Sequence, residues 1–142
     1  MHQYLKSLPI VRKLDVAVTK FLTTLDVLEI HDRIIDNFGG APKLRDVTLL
    51  ESALAQPGMV FSGKFMHSTL HEKAAAYLFH ITKNHPFVDG NKRTAVVTYL
   101  VFLQINNCYR PINHLVLYEL AVGIAASQIT KAEIATILRH QN

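Results

Sequence analysis

Apolar positions along the chain repeat every three to four residues over most of its length, and polar caps separate the repeats. Val27, Ile30, Ile34 and Phe38 form one apolar face, the spacing of an amphipathic helix. Asp26 stands three before Glu29, a capping-box-like start, and Gly39-Gly40 ends the run. Asp46 is placed to cap a second, short helix through Ala55, which Pro57-Gly58 stops. Residues 59–66 break the rhythm. Two very short extended arms surround Ser62-Gly63, which predicts a small hairpin. Ser68 then predicts a helix cap, with Leu70, Ala74, Tyr77, Leu78 and Ile81 on one face as far as Asn84. Pro86 biases His85 away from the right-handed α region and ends that helix.

From about Asn91 to Asn107 the pattern is apolar nearly all round, which marks a buried central helix. A further helix fits 114–127. Thr130 with Glu133 is another capping box and opens a last helix, to about Arg139. Val16–Thr19 reads as a short strand, and Phe21 and Leu22 as residues that pack on the body. The expectation is an all-α fold, a compact helical bundle with one small β-hairpin. Residues 1–24 form an extension of unclear role and 25–142 form the domain.

Composition narrows the picture. At 142 residues and 49% hydrophobic, one domain with one core is expected. The single Cys108 excludes an intramolecular disulfide and fits a reducing cytoplasm; it reads as a small buried hydrophobe. No signal peptide is visible, and the apolar run from Ala95 to Ile105 is too short to cross a bilayer. The net charge is +4, but no dense Lys/Arg stripe or aromatic platform argues for a nucleic-acid partner. His67 and His71 have a helical metal-ligand spacing without a third ligand nearby. Glu72 and Lys73 read as a solvated face.

The chemistry concentrates in His85-Pro-Phe-Val-Asp-Gly-Asn-Lys-Arg-Thr94. The unpaired N–H groups and positive dipole end of the central helix meet Asn91, Lys92 and Arg93, a ready anion site. Gly90 lets the backbone approach a phosphate, and Arg93 can grip two phosphate oxygens at once. Asn91 can cap the helix or donate to phosphate. Asp89 would repel a phosphate unless a cation stood between, and Mg²⁺ is the natural bridge. His85 is then a candidate general base for an attacking hydroxyl. Taken singly, each residue has a plainer reading as a turn, a cap or a solvated first turn; together, ahead of an apolar helix, they point to chemistry on a phosphate. The second glycine of a Walker A loop is absent.

This motif resembles the signature of the Fic/Doc (Fido) superfamily, on the side of the death-on-curing toxins. Lys92 replaces a small residue of the AMP-transferring branch, and Val96 stands where that branch has a second Arg. Ile30-His-Asp-Arg, Phe38-Gly-Gly, residues 50–57 and residues 102–106 are similar to the same family's surrounding segments. The resemblance implies a helical domain whose hairpin flap, here Val60, Phe61, Ser62, Gly63 and Lys64, docks an extended target segment. It implies ATP as phosphate donor and Mg²⁺ held by Asp89. His85 would activate the hydroxyl, and Asn91, Lys92 and Arg93 would hold phosphates. The implied acceptor is a threonine of a translation factor, elongation factor Tu. AMP transfer, or a catalytically inactive partner-binding module, stands as the alternative. A self-inhibitory (Ser/Thr)-x-x-x-Glu-(Gly/Asn) helix is absent, since Thr24 and Glu29 are one residue too far apart. Inhibition in trans by a Phd-like antitoxin is therefore expected.

Overall fold

Residues 18–109 and 111–140 are described by the structure, a computed structural model. Among them are six helices and one hairpin. In chain order these are α1 (Thr24–Phe38), α2 (Val47–Ala55), β1 (Val60–Phe61), β2 (Lys64–Phe65), α3 (Leu70–Asn84), α4 (Asn91–Ile105), α5 (His114–Ala125) and α6 (Lys131–Arg139). The all-α expectation with one hairpin holds. No helix among the described residues is long and apolar enough to cross a membrane.

The helix starts follow from local side chains. Asp46 caps α2 by accepting from the Thr48 amide and hydroxyl; those bonds hold its carboxyl below the usual range. The Thr130–Glu133 box opens α6 as expected. Two starts differ. α1 is capped by Thr23, whose hydroxyl accepts from Asp26 N–H while the Asp26 carboxylate accepts from Thr23 N–H. The Asp26–Glu29 pair therefore lies inside the helix. The choice is tertiary: the Tyr77 hydroxyl accepts from the Leu22 amide at 2.9 Å and fixes the chain one residue before the cap. α3 is capped by Thr69 rather than Ser68.

Helix α4 is the axis of the fold. It is buried from Thr94 through Leu103, packed mainly against α3 and also against α1 and α5. α1 turns Val27, Ile30, His31, Ile34 and Ile35 inward. Phe38, expected on that face, is 55% exposed. Lys73 reverses the other expectation: it is 2% exposed. Its ammonium donates to the His67 and Ser68 carbonyls at 2.5 and 3.3 Å and lies 4.1 Å from the centre of the Phe65 ring. Those partners replace water, which the local sequence does not reveal. Cys108 is half-buried against the core.

The hairpin pairs Val60 with Phe65 and Phe61 with Lys64. Ser62 and Gly63 both have positive φ, 53° and 78°, as a tight two-residue hairpin turn requires. The segment before α1 supports it. Asn106 exchanges two hydrogen bonds with the Lys20 backbone, Leu22 is buried, and the Phe21 ring stands between Phe102 of the core and Phe65 of β2. Of the strand expected at 16–19, Val16 and Ala17 lie outside the described residues, and Val18 and Thr19 are not in a strand.

Candidate functional site

The loop between α3 and α4 is held from three directions. His85 ends α3 with its N–H on the Ile81 carbonyl and adopts left-handed φ 52°, ψ 55°. Pro86 closes off the right-handed alternative, and the left-handed one costs a residue with a Cβ about 1–2 kcal/mol. Arg45 offsets this by gripping both adjacent carbonyls, His85 O through Nε at 2.8 Å and Asn84 O through Nη2 at 3.0 Å. The Pro86 carbonyl accepts from the Arg45 and Asp46 amides, and Val88 N–H donates to the Lys43 carbonyl. Residues 43–46 thus strap the loop, with Leu44 bridged to Phe87.

Phe87 is fully buried and is stacked on the His31 ring, with centroids 3.7 Å apart. His31 Nε2 donates to the Asp89 carbonyl at 2.8 Å. From the other side, Asn91 accepts from Phe87 N–H at 2.9 Å and donates to Phe87 O at 2.8 Å. Asn91 is the first residue of α4 and does not cap it; the cap is Gly90, at φ 82°. A Cβ on Gly90 would meet Ile35 at 3.4 Å and His31 at 3.5 Å. The third support reaches the carboxylate. Asp89 Oδ2 accepts from the Ala41 amide at 2.8 Å, which orients the group and leaves its other oxygen without a hydrogen bond among the described residues.

These elements enclose an open cavity of about 270 Å³. His85, Asp89, Gly90, Asn91, Lys92 and Arg93 all line it, so the structure brings together every loop residue singled out in the sequence. The Asn91 amide faces its own loop through both bonds to Phe87. The Arg93 guanidinium lies 4.3 Å from the Phe38 ring centre and 5.7 Å from that of Tyr118. This stack explains the exposure of Phe38: it is a platform for a cation. Val60 to Lys64 of the hairpin are exposed and do not line the cavity. A second, more apolar cavity of about 300 Å³ adjoins it, sharing Ile34, Phe38, Arg93 and Tyr118 and walled further in by Val96 and Val97.

Sequence reasoning missed His31, Arg45, Phe38 and Tyr118. A helical count would have put His31 on the buried face beside Ile30 and Ile34, a place where a polar ring needs a partner. The arrangement can receive an anion at the α4 N-terminus, with two cations beside it. It can hold one carboxylate oxygen toward a cation and present an imidazole to a hydroxyl. A Mg²⁺ ion fits that donor set, since it often takes one carboxylate and completes its shell with phosphate oxygens and water.

Comparison with known proteins gives a consistent result. The family model described as the Fic/DOC family matches residues 21–103. The "Toxin Doc" of Mycolicibacterium smegmatis is 42% identical over 89 residues, covering 63% of this chain and 66% of that protein, just under two thirds of its length. The "Protein kinase doc" of Escherichia phage P1 is 30% identical over 114 residues, covering 80% of this chain and 89% of that protein.

Proposed function

The chain belongs to the Fic/DOC family, and from that premise we propose that it is a Doc-like toxin that phosphorylates a protein hydroxyl. The donor is ATP, and the acceptor is a serine or threonine of a translation factor, with elongation factor Tu the first candidate. The observation that carries this reading is the cavity at the start of α4, where His85, Asp89, Lys92 and Arg93 converge.

His85 accepts the proton of the target hydroxyl, whose oxygen attacks the γ-phosphorus. The bond from that phosphorus to the β–γ bridging oxygen breaks, and ADP leaves. Lys92, Arg93 and the first-turn amides of α4 hold the transferring phosphoryl group and its charge. Asp89 would hold Mg²⁺, which supplies charge neutralisation between the carboxylate and the phosphates. Asn91 keeps Phe87 seated, so the loop does not reorganise during transfer. Val96 supports phosphate over AMP transfer: it is 4% exposed in the wall of the apolar cavity, so the position carries no cation for a further phosphate. The hairpin receives the target as an added strand, and a Phd-like antitoxin inhibits in trans. Residues 25–142 form the Fido domain and 1–24 its extension.

The test is label transfer from α- and γ-labelled ATP to elongation factor Tu and to whole-cell protein. Label from the γ position alone is expected, on a serine or threonine, with a mass gain of one phosphate. His85→Ala should lower the rate by about 10²–10⁴. Transfer of the α label, with a mass gain of one AMP, would refute the proposal.

A further inference from the structure

A third cavity, of about 480 Å³, lies between the start of α3 and α6 and shares no residue with the two at the loop. Its walls include Met66, His67, Glu72, Lys131, Thr136 and Arg139. The cations around it have neutral partners. Lys131 Nζ lies 3.0 Å from His80 Nε2; the ammonium donates and the imidazole accepts, so His80 is neutral there. Burial, with Lys131 and His67 nearby, pushes His80 down to about 4. Lys73, the residue after Glu72, lies buried with its ammonium on two carbonyls and a ring. His67 is buried in the wall, and its Nδ1 makes no hydrogen bond of normal geometry.

Counter-charge for Lys131 and Arg139 is missing within 4.0 Å among the described residues. The carboxylate in the wall, Glu72, takes the Ser68 and Thr69 hydroxyls at 3.3 and 3.1 Å. Among the described residues no carboxylate pairs with Lys131 or Arg139 within 4.0 Å. Glu72 acts as a nearby counter-charge for Lys73 alone of these cations, and burial lowers the pKa of both Lys73 and Lys131. Desolvated ammonium groups on neutral partners are costly, and a bound anion offsets that cost.

We infer that this cavity is an oxyanion site, taking a carboxylate or phosphate group between Lys131 and Arg139 beside His67. It is independent of the catalytic loop. Two sources offer that chemistry: a free phosphate, or an acidic side chain of a protein segment lying along the hairpin. Met66 and His67 follow β2 directly, so such a segment would reach the cavity.

The test is titration of the whole chain at neutral pH with inorganic phosphate and, separately, with a tetraglutamate peptide. The imidazole NMR signals of His67 and His80 are followed. A saturable shift of both is expected. It should survive His85→Ala, which separates this site from the proposed catalysis. Lys131→Met should weaken binding about tenfold or more, equivalent to ~1.4 kcal/mol. Arg139→Gln, at an exposed position, should weaken it in the same direction if the first variant folds poorly. Tighter phosphate binding identifies a small-anion site, and tighter peptide binding a protein side chain. Shifts that do not saturate, or that are unchanged by both substitutions, overturn the inference.

Discussion

Asn91→Ala isolates the brace of the loop that carries the proposed catalytic residues. The side chain is 4% exposed and makes two bonds to Phe87, one accepted at 2.9 Å and one donated at 2.8 Å. Phe87 is fully buried, so truncation orphans an N–H and a C=O away from water. Each orphan costs about 1–3 kcal/mol, so the pair amounts to about 2–6 kcal/mol. At this chain length 1 kcal/mol moves the midpoint by about 4 °C, so a drop of about 8–24 °C is expected in thermal melting followed by far-UV circular dichroism. Asn91→Asp adds a sign test. The introduced acid keeps the acceptor but turns a carboxylate toward the Phe87 carbonyl. Burial raises its folded pKa above the unfolded value, so stability should be greater at low pH and fall as pH rises through the folded pKa. A loss below about 1 kcal/mol in Asn91→Ala would refute the reasoning, because the Phe87 groups would then have other partners.

Three further outcomes can be checked. Gly90→Ala places a Cβ at φ 82°, 3.4 Å from Ile35; a stability loss of about 1–2 kcal/mol in urea unfolding is expected, with reduced phosphate transfer. Arg93→Lys removes the planar group stacked on Phe38 and should weaken ATP binding about tenfold by calorimetry, since an ammonium neither stacks nor grips two oxygens. His80 has a folded pKa of about 4, below its ordinary 6.5. Its contribution to stability is therefore complete above about pH 6.5 and lost as pH falls toward 4; His80→Gln should flatten that part of the stability–pH curve.

What could be read from the sequence was what lies close along it. The Asp46 and Thr130 caps, the Ser62-Gly63 turn and the end of α3 at His85 each depend on a few consecutive residues. The cluster from His85 to Arg93 was legible for the same reason. Its supports were not, because His31, Ala41 and Arg45 lie 39 or more residues before the atoms they hold. Asp26 had cap spacing in the sequence, and a contact to the distant Tyr77 hydroxyl places the cap at Thr23 instead. Lys73 looked solvated because nothing local showed that Phe65 and the His67 carbonyl would close over it. Phe38 looked like core because periodicity counts apolar faces and does not register a cation at Arg93 that claims one of them.

The strap of residues 43–46 has a consequence for how motion is distributed in the molecule. Phe87 and Val88 donate their amides to Asn91 and Lys43, and Pro86 accepts two more from the strap. Surface loops usually exchange their amide protons quickly, whereas bonds of this kind open only with the elements that make them. Phe87 and Val88 should therefore exchange on the slow timescale of α4, while the hairpin, with its two short strands, exchanges fast. The molecule then combines a stiff loop that holds His85 and Asp89 in place with a compliant hairpin beside it.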